Sequence, residues 1–399
     1  MKRIILLGDG MPDEPIESLG GKTPLMAAKT PNLDRMAREG TVGYAKTTPD
    51  GYSPGSDVTN MGILGYDPKK YYTGRAPLEA ASMGIKLSPT DVAYRCNLVT
   101  LAPNPEGVFM QDFSAGHIES EPAAKLIHAL SEYFGADGEF RFYPGVSYRH
   151  LMIWKNGAED VKCTPPHDIT GENIKDYLPQ GENADKLRTL IGEAQMVLKK
   201  DPVNKARKAE KKPEANSIWL WGQGKAPSLP LLKDYRGLTG TMISAVDLMK
   251  GIGVLAGMDV INVQGATGYI DTNYEGKKQA AIDALGKHDL VYIHLEAPDE
   301  SSHSGSLENK LKSIEDFDAK IVGPLLDEIK RLGGRAVALS DHPCPLAKQT
   351  HTRGPVPFAI WPALPEGGCA EAFDENIIVN KDALYFDEGY KLFERFIKE

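Results

Sequence analysis

A chain of 399 residues with 41% hydrophobic and 25% charged residues can bury a large core and has the composition of an ordinary globular protein. Its net charge of −9 excludes a general affinity for nucleic acid or anionic membranes, although a small anionic substrate responds only to the field of its own pocket. No run approaches the ~20 apolar residues of a membrane span, and Cys96, Cys163, Cys344 and Cys369 are scattered without a CxxC pair, as suits reduced thiols in the cytoplasm.

In chain order, "KRIILLGDG" comes first. Ile4 to Leu7 is a strand's length of apolar residues and Asp9 ends it, which argues for a strand rather than a signal peptide. "DGYSPGSDVTNMGILGYDP", residues 50–68, sets Ser56 between Gly55 and Asp57 ahead of an apolar-periodic segment. The pattern then changes. "VAYRCNLVTLAP" and "EFRFYPGVSYRHLMIWKNG" read as strands with a hairpin, and "HIESEPAAKLIHALSEYFG" and "NADKLRTLIGEAQMVLKK" as amphipathic helices. "DPVNKARKAEKKPEAN" reads, on composition, as a solvated linker, and "PEAN" and "QGKAPSLP" would suit a hinge. After it come "MDVINVQGATG" before "YEGKKQAAIDALGKH", then "DLVYIHLEAPDE", then "GRAVALSDHPCP". Apolar runs followed by polar loops and helices predict an α/β fold of buried parallel strands, with ligands at the strands' carboxyl ends. Residues 1–80 and 235–399 are expected to form that domain, with 81–234 inserted as an α+β unit.

Three separate loops then bring metal-type side chains to one rim of the sheet: Asp9, Asp299 with His303, and Asp341 with His342. His351 follows in "QTHTRGPVPF". A divalent cation needs such convergent oxygen and nitrogen donors. Each residue also has a plainer reading: Asp299 as a helix cap, Asp9 as a turn residue, a loop histidine as mere surface. Ser56 could cap its helix, or act as a nucleophile at a helix N-terminus that also holds phosphate. There is no P-loop, no GxGxxG in a strand–turn–helix setting and no G-x-S-x-G elbow, which weighs against ordinary nucleotide binding and serine-esterase chemistry.

"LLGDGMPD", "SPGSDVTNMGILGYDP", "GRAPLEAASMGI", "YRCNLVT", "FYPGVSYRHL", "IWLWGQG", "GTMISAVDLMKGIG", "APDESSHSG" and "SDHPCP" together resemble the cofactor-independent phosphoglycerate mutases, in their shorter archaeal and bacterial branch. That family belongs to the alkaline phosphatase superfamily. The resemblance implies an alkaline-phosphatase-like sheet domain with an inserted substrate-binding lid, and interconversion of 3-phosphoglycerate and 2-phosphoglycerate without 2,3-bisphosphoglycerate. It implies two divalent metal ions, often manganese; mixed carboxylate and imidazole sites also accept magnesium, cobalt or zinc. One would be held by Asp9, Ser56, Asp341 and His342, the other by Asp299, His303 and His351. Ser56 would become phosphoserine, and Asp57 is a conceivable base in the second step. His117 and Arg149 fall where substrate-binding lid residues are expected, with Arg207 and Lys277 as further candidates; this counts against the linker reading of the basic stretch.

"DHPCP" and Gly354 depart from the mutase pattern. Asp-His-Pro-x-Pro followed by a His-Thr loop also resembles a bacterial subgroup proposed to be homoserine kinases on this scaffold. A metal-dependent phosphatase would need the same ligands but admit water, and a non-catalytic metal-binding protein would form no phosphoserine. The expected partner is a small phosphorylated substrate; nothing in the sequence specifies an oligomeric state.

Overall fold

A computed structural model describes residues 1–135 and 138–398. Its strands are β1 (Arg3–Gly8), β2 (Thr41–Ala45), β3 (Val92–Asn104), β4 (Gly107–Asp112), β5 (Phe140–Tyr143), β6 (Arg149–Trp154), β7 (Ser217–Gly224), β8 (Gly240–Ile243), β9 (Asp259–Ile261), β10 (Leu290–Leu295), β11 (Arg335–Leu339), β12 (Val356–Trp361) and β13 (Leu384–Phe386). The chain divides into two compact units, residues 1–72 with 228–399, and residues 73–227.

The first unit is built on an eight-stranded sheet of order β13-β2-β12-β11-β1-β10-β8-β9. β11, β1, β10, β8 and β9 run parallel, while β12 pairs antiparallel with both β11 and β2. β1, β10 and β11 are buried at every position, as expected of strands covered on both faces. Ile4, Leu6, Val291, Ile293, Ala336 and Ala338 on one sheet face pack with Phe317, Leu325 and Ile329 from flanking helices. β11, β1 and β10 are neighbours, so the residues just beyond them, Asp341, Asp9 and the helix Ala297–His303, share one edge of the sheet.

The second unit pairs β3 with β4, β6 and β7, all antiparallel, and β6 with β5. Its own core sets Val92, Tyr94, Cys96 and Leu98 against the helices Ser120–Phe134 and Ala184–Lys200. The helix Ala76–Ser82 packs here too, through Ala76 and Ala80 against Ala93, Leu151 and Ile153. The unit therefore begins somewhat before residue 81.

The basic stretch is not a linker. Pro202–Ala209 is a helix whose N-cap Asp201 accepts from the Val203 N–H, and whose Asn204 and Arg207 are buried. Among the described residues no helix is long and apolar enough to cross a membrane.

Candidate active site

The helix Ser56–Ile63 begins after Gly55 without a side-chain cap, which leaves the Ser56 hydroxyl available. Ser56 Oγ lies 3.4 Å from Asp9 Oδ2 and 3.2 Å from His342 Nε2. One turn on, the same helix anchors Asp341: its Oδ2 accepts from Asn60 Nδ2 at 3.0 Å and Thr59 Oγ1 at 3.3 Å. The Tyr292 hydroxyl in turn donates to Asn60 Oδ1 at 2.6 Å. Asp341 Oδ1 takes the Gly10 N–H at 3.3 Å and the His342 N–H at 3.0 Å.

Asp9 is held by His294, whose Nε2 lies 2.9 Å from Oδ2. With Asp9 ionised, as a cation ligand is, its carboxylate only accepts, so Nε2 carries the proton and Nδ1 is left as an acceptor for the Ser244 hydroxyl at 3.1 Å. Burial pushes the His294 imidazole down to about 4, which keeps it neutral. The other oxygen, Asp9 Oδ1, is buried with no hydrogen-bond partner.

Asp299, in the helix Ala297–His303, faces two imidazoles, with His303 Nε2 at 3.1 Å and His351 Nε2 at 3.3 Å from Oδ2. His303 Nδ1 lies 2.9 Å from the Gln349 carbonyl and His351 Nδ1 lies 3.0 Å from the Pro54 carbonyl. Carbonyls accept, so both Nδ1 atoms carry protons, and in the neutral rings both Nε2 lone pairs point inward. Those two nitrogens are 3.0 Å apart, and Asp299 Oδ1 beside them is buried without a partner. Acceptors converging on acceptors are stable only around a positive charge.

The titration behaviour agrees. Burial, then the charges of Asp341 and Asp299, push the Asp9 carboxyl well above its ordinary value. Burial also acts to raise Asp299, but hydrogen bonds from His303 and His351 together hold it well below the carboxylate range. The Asp299 hydrogen bond lifts His303 to about 9. Protons stand here where a cation would otherwise balance the charge. Two overlapping groups offer donor atoms that all lie within 4.8 Å of one another: Asp9, Asp299 and His342, and Asp299, His303, Cys344 and His351. The residues present therefore fit divalent metal ions.

A 2,3-bisphosphoglycerate-independent phosphoglycerate mutase of Methanosarcina barkeri is 55% identical over 381 residues, covering 94% of each chain. The chain belongs to that mutase family. A family model described as 2,3-bisphosphoglycerate-independent phosphoglycerate mutase matches residues 37–204. The mutase numbered 2 of Methanothermobacter thermautotrophicus is 44% identical over 99% of this chain and 96% of its own. Among solved structures, a Pyrococcus horikoshii protein superposes with a TM-score of 0.80 at 28% identity, over 99% of this chain and 96% of that one. The cofactor-independent phosphoglycerate mutase of Thermoplasma acidophilum gives a TM-score of 0.66 at 26% identity, over 100% and 99%. The mutase resemblance seen in the sequence is thus the frame for this site.

Within that frame the structure brings Asp9, Ser56, Asp341 and His342 together, and Asp299, His303 and His351 together. Asp57, next to Ser56, has its carboxylate held at both oxygens: Oδ1 takes the Val58 N–H and Oδ2 takes the Tyr72 hydroxyl at 2.5 Å. Lys277, buried, points its amine at the His294 carbonyl 3.3 Å away, and burial lowers it to about 8. His117, Arg149 and Arg207 belong to the inserted unit. His117 sits at φ +47 and packs against Phe113 and Tyr148; Arg149 is exposed and lies over the Tyr148 ring. Arg207 is a structural clamp, with Nε on the Pro213 carbonyl at 2.8 Å and Nη2 on the Ala115 carbonyl at 2.7 Å.

Sequence reasoning missed His294, Asn60 and Tyr292, which hold the ligands in place. It also missed a basic group in the inserted unit, where half-buried Glu79 takes Arg75 Nε at 3.2 Å and Arg95 Nε at 3.0 Å. Both arginines lie in motifs that carried the family resemblance, so a signal was there.

Proposed function

We propose that this protein interconverts 3-phosphoglycerate and 2-phosphoglycerate in the cytoplasm through a phosphoserine on Ser56, without 2,3-bisphosphoglycerate. The observation that carries the reading is the Ser56 hydroxyl, uncapped and set against Asp9 and His342 at one end of a carboxylate–imidazole cluster built for cations. The activity for which its relatives are named supports the choice of substrate.

Asp9, Ser56, Asp341 and His342 would hold one ion and Asp299, His303 and His351 the other, with manganese the family expectation. Such ions supply charge stabilisation for the phosphoryl group and lower the hydroxyl pKa of the nucleophile. Ser56 Oγ forms the new bond to phosphorus as the bond to the glycerate oxygen breaks. The proton lost by the serine hydroxyl equals the one the leaving alkoxide needs, so each half-reaction is proton-neutral. Asp57, held by Tyr72, is assigned the base role when the other glycerate hydroxyl attacks phosphoserine. The inserted unit, with His117, Arg149 and the arginines around Glu79, is assigned the substrate's carboxylate, for which paired guanidinium hydrogen bonds are apt.

Phosphorus NMR of the metal-loaded protein with 3-phosphoglycerate alone tests this. A 2-phosphoglycerate resonance is the expected result, and Ser56→Ala should lack it while still binding metal. Release of inorganic phosphate instead would mark a phosphatase, and an inert native enzyme that responds to ATP and homoserine would mark a kinase.

A further inference from the structure

Cys344 follows His342 by two positions and is fully buried. Its sulfur is one of the four donors grouped with Asp299, His303 and His351. Its backbone is pinned on both sides: its N–H donates to the Pro12 carbonyl at 3.1 Å, and its carbonyl accepts from the buried Lys310 amine at 2.9 Å. Lys310 also pairs with Asp13 at 2.8 Å, and Asp13 accepts the Leu346 N–H. The Thr352 N–H binds the Pro343 carbonyl at 2.9 Å, tying this loop to the one that carries His351. A sulfur fixed in this way reaches a cation with little reorganisation. The buried, unpartnered Asp299 Oδ1 in the same group independently points to a seat for a cation.

We infer that Cys344 is a sulfur ligand to the ion held by Asp299, His303 and His351, and that this half of the centre selects Zn²⁺ or Co²⁺ over Mn²⁺ or Mg²⁺. Sulfur with two imidazoles and one carboxylate is a tetrahedral, borderline-soft donor set. The other half, with Asp9, Ser56, Asp341 and His342, is oxygen-rich and accepts harder cations. The centre is therefore a mixed one, with two chemically different seats. The thiol proton leaves to solvent as the cation binds. This inference rests on the two-metal reading above.

The test titrates the full-length, metal-stripped protein with Co²⁺ alone and measures bound cobalt by elemental analysis. A sulfur-to-cobalt charge-transfer band in the near ultraviolet is expected. It should vanish in Cys344→Ser and Cys344→Ala while cobalt still binds. It should persist in a Cys96→Ala/Cys163→Ser/Cys369→Ser variant, which keeps Cys344 alone of the four cysteines and decides the matter if the Cys344 variants fail to fold. In Zn²⁺/Mn²⁺ competition, Cys344→Ser should lose roughly 10–100-fold of the zinc preference. Bound cobalt without the band, a band that survives both Cys344 variants, or an unchanged zinc preference overturns the inference and leaves the two-metal reading standing. A protein that binds no cobalt overturns both.

Discussion

His294 never needs to reach a substrate to matter. Its Nε2 proton holds Asp9 in one orientation, and burial keeps the ring neutral so that it remains a single, directed donor. Replacing it with Phe leaves Asp9 without that partner; divalent-metal affinity should fall about 10–100-fold, read by competition with a chelator. Gly10 has a comparable effect by a different route. It sits at φ +63, and a Cβ there would lie 2.6 Å from Asp299 Oδ1. Gly10→Ala should cost about 1–2 kcal/mol for the backbone alone and weaken metal retention further by displacing Asp299; an unshifted melting curve would contradict this. The assigned base is testable as well: Asp57→Asn should lower kcat by ~10²–10⁴ with metal content unchanged, as loss of general-base assistance does. Asp9, Asp299 and Asp341 with His342 were legible in the sequence because each comes just after an apolar run and stands among polar or glycine residues. His294 was not, since inside "VYIHLEAP" it reads as one more position of a buried strand. Asn60 and Tyr292 carry no local signal at all; only the fold joins them to Asp341.

Among the elements, the helix Pro202–Ala209 shows charge hiding structure. Asp-Pro at its start is an N-cap followed by proline in the first turn, a sound helix signal. The surrounding lysines made the stretch look solvated. What fixes it is buried polar bonding: Asn204 reaches the Leu198 and Ala215 carbonyls, and Arg207 the Pro213 and Ala115 carbonyls. None of these partners could be foreseen from composition. In β6, His150 is buried, its Nδ1 takes the Gly145 N–H, and burial lowers it to about 3 from an ordinary 6.5. The unfolded chain therefore binds a proton below pH 6.5 that the folded unit refuses until near pH 3. Stability from this group is complete above pH 6.5 and falls on acidification, by roughly 2 kcal/mol between pH 6.5 and 5. Thermal melts across that range should show the loss, and His150→Gln should flatten it; an equal slope in both proteins would mean that His150 is not the group responsible.

For the molecule as a whole, the parallel centre of the sheet was readable because buried strands announce themselves as apolar runs. The outer strands were not: β2, β12 and β13 carry weak patterns, and their antiparallel and parallel pairings depend on crossovers that no local residue encodes. The inserted unit has its own core, and its ends meet. Thr73 Oγ1 donates to the Lys225 carbonyl at 2.6 Å, and a Cβ on Gly74 would lie 2.1 Å from the Gln223 carbonyl oxygen. Residues 73–227 expressed alone should fold and melt cooperatively, as calorimetry can establish; a broad, non-cooperative transition would show that the unit depends on its host. The sheet order has a further consequence, one of timing. β1 is made first, yet Arg3 pairs with Leu290 on one side and Arg335 on the other. At ~5–20 residues per second, the ribosome needs on the order of 15–60 s to deliver the first of these partners. Through that interval a largely apolar strand is without its mates while the inserted unit has already emerged. The cell must therefore shelter the head of this chain, by a chaperone or by transient burial, until its tail is made.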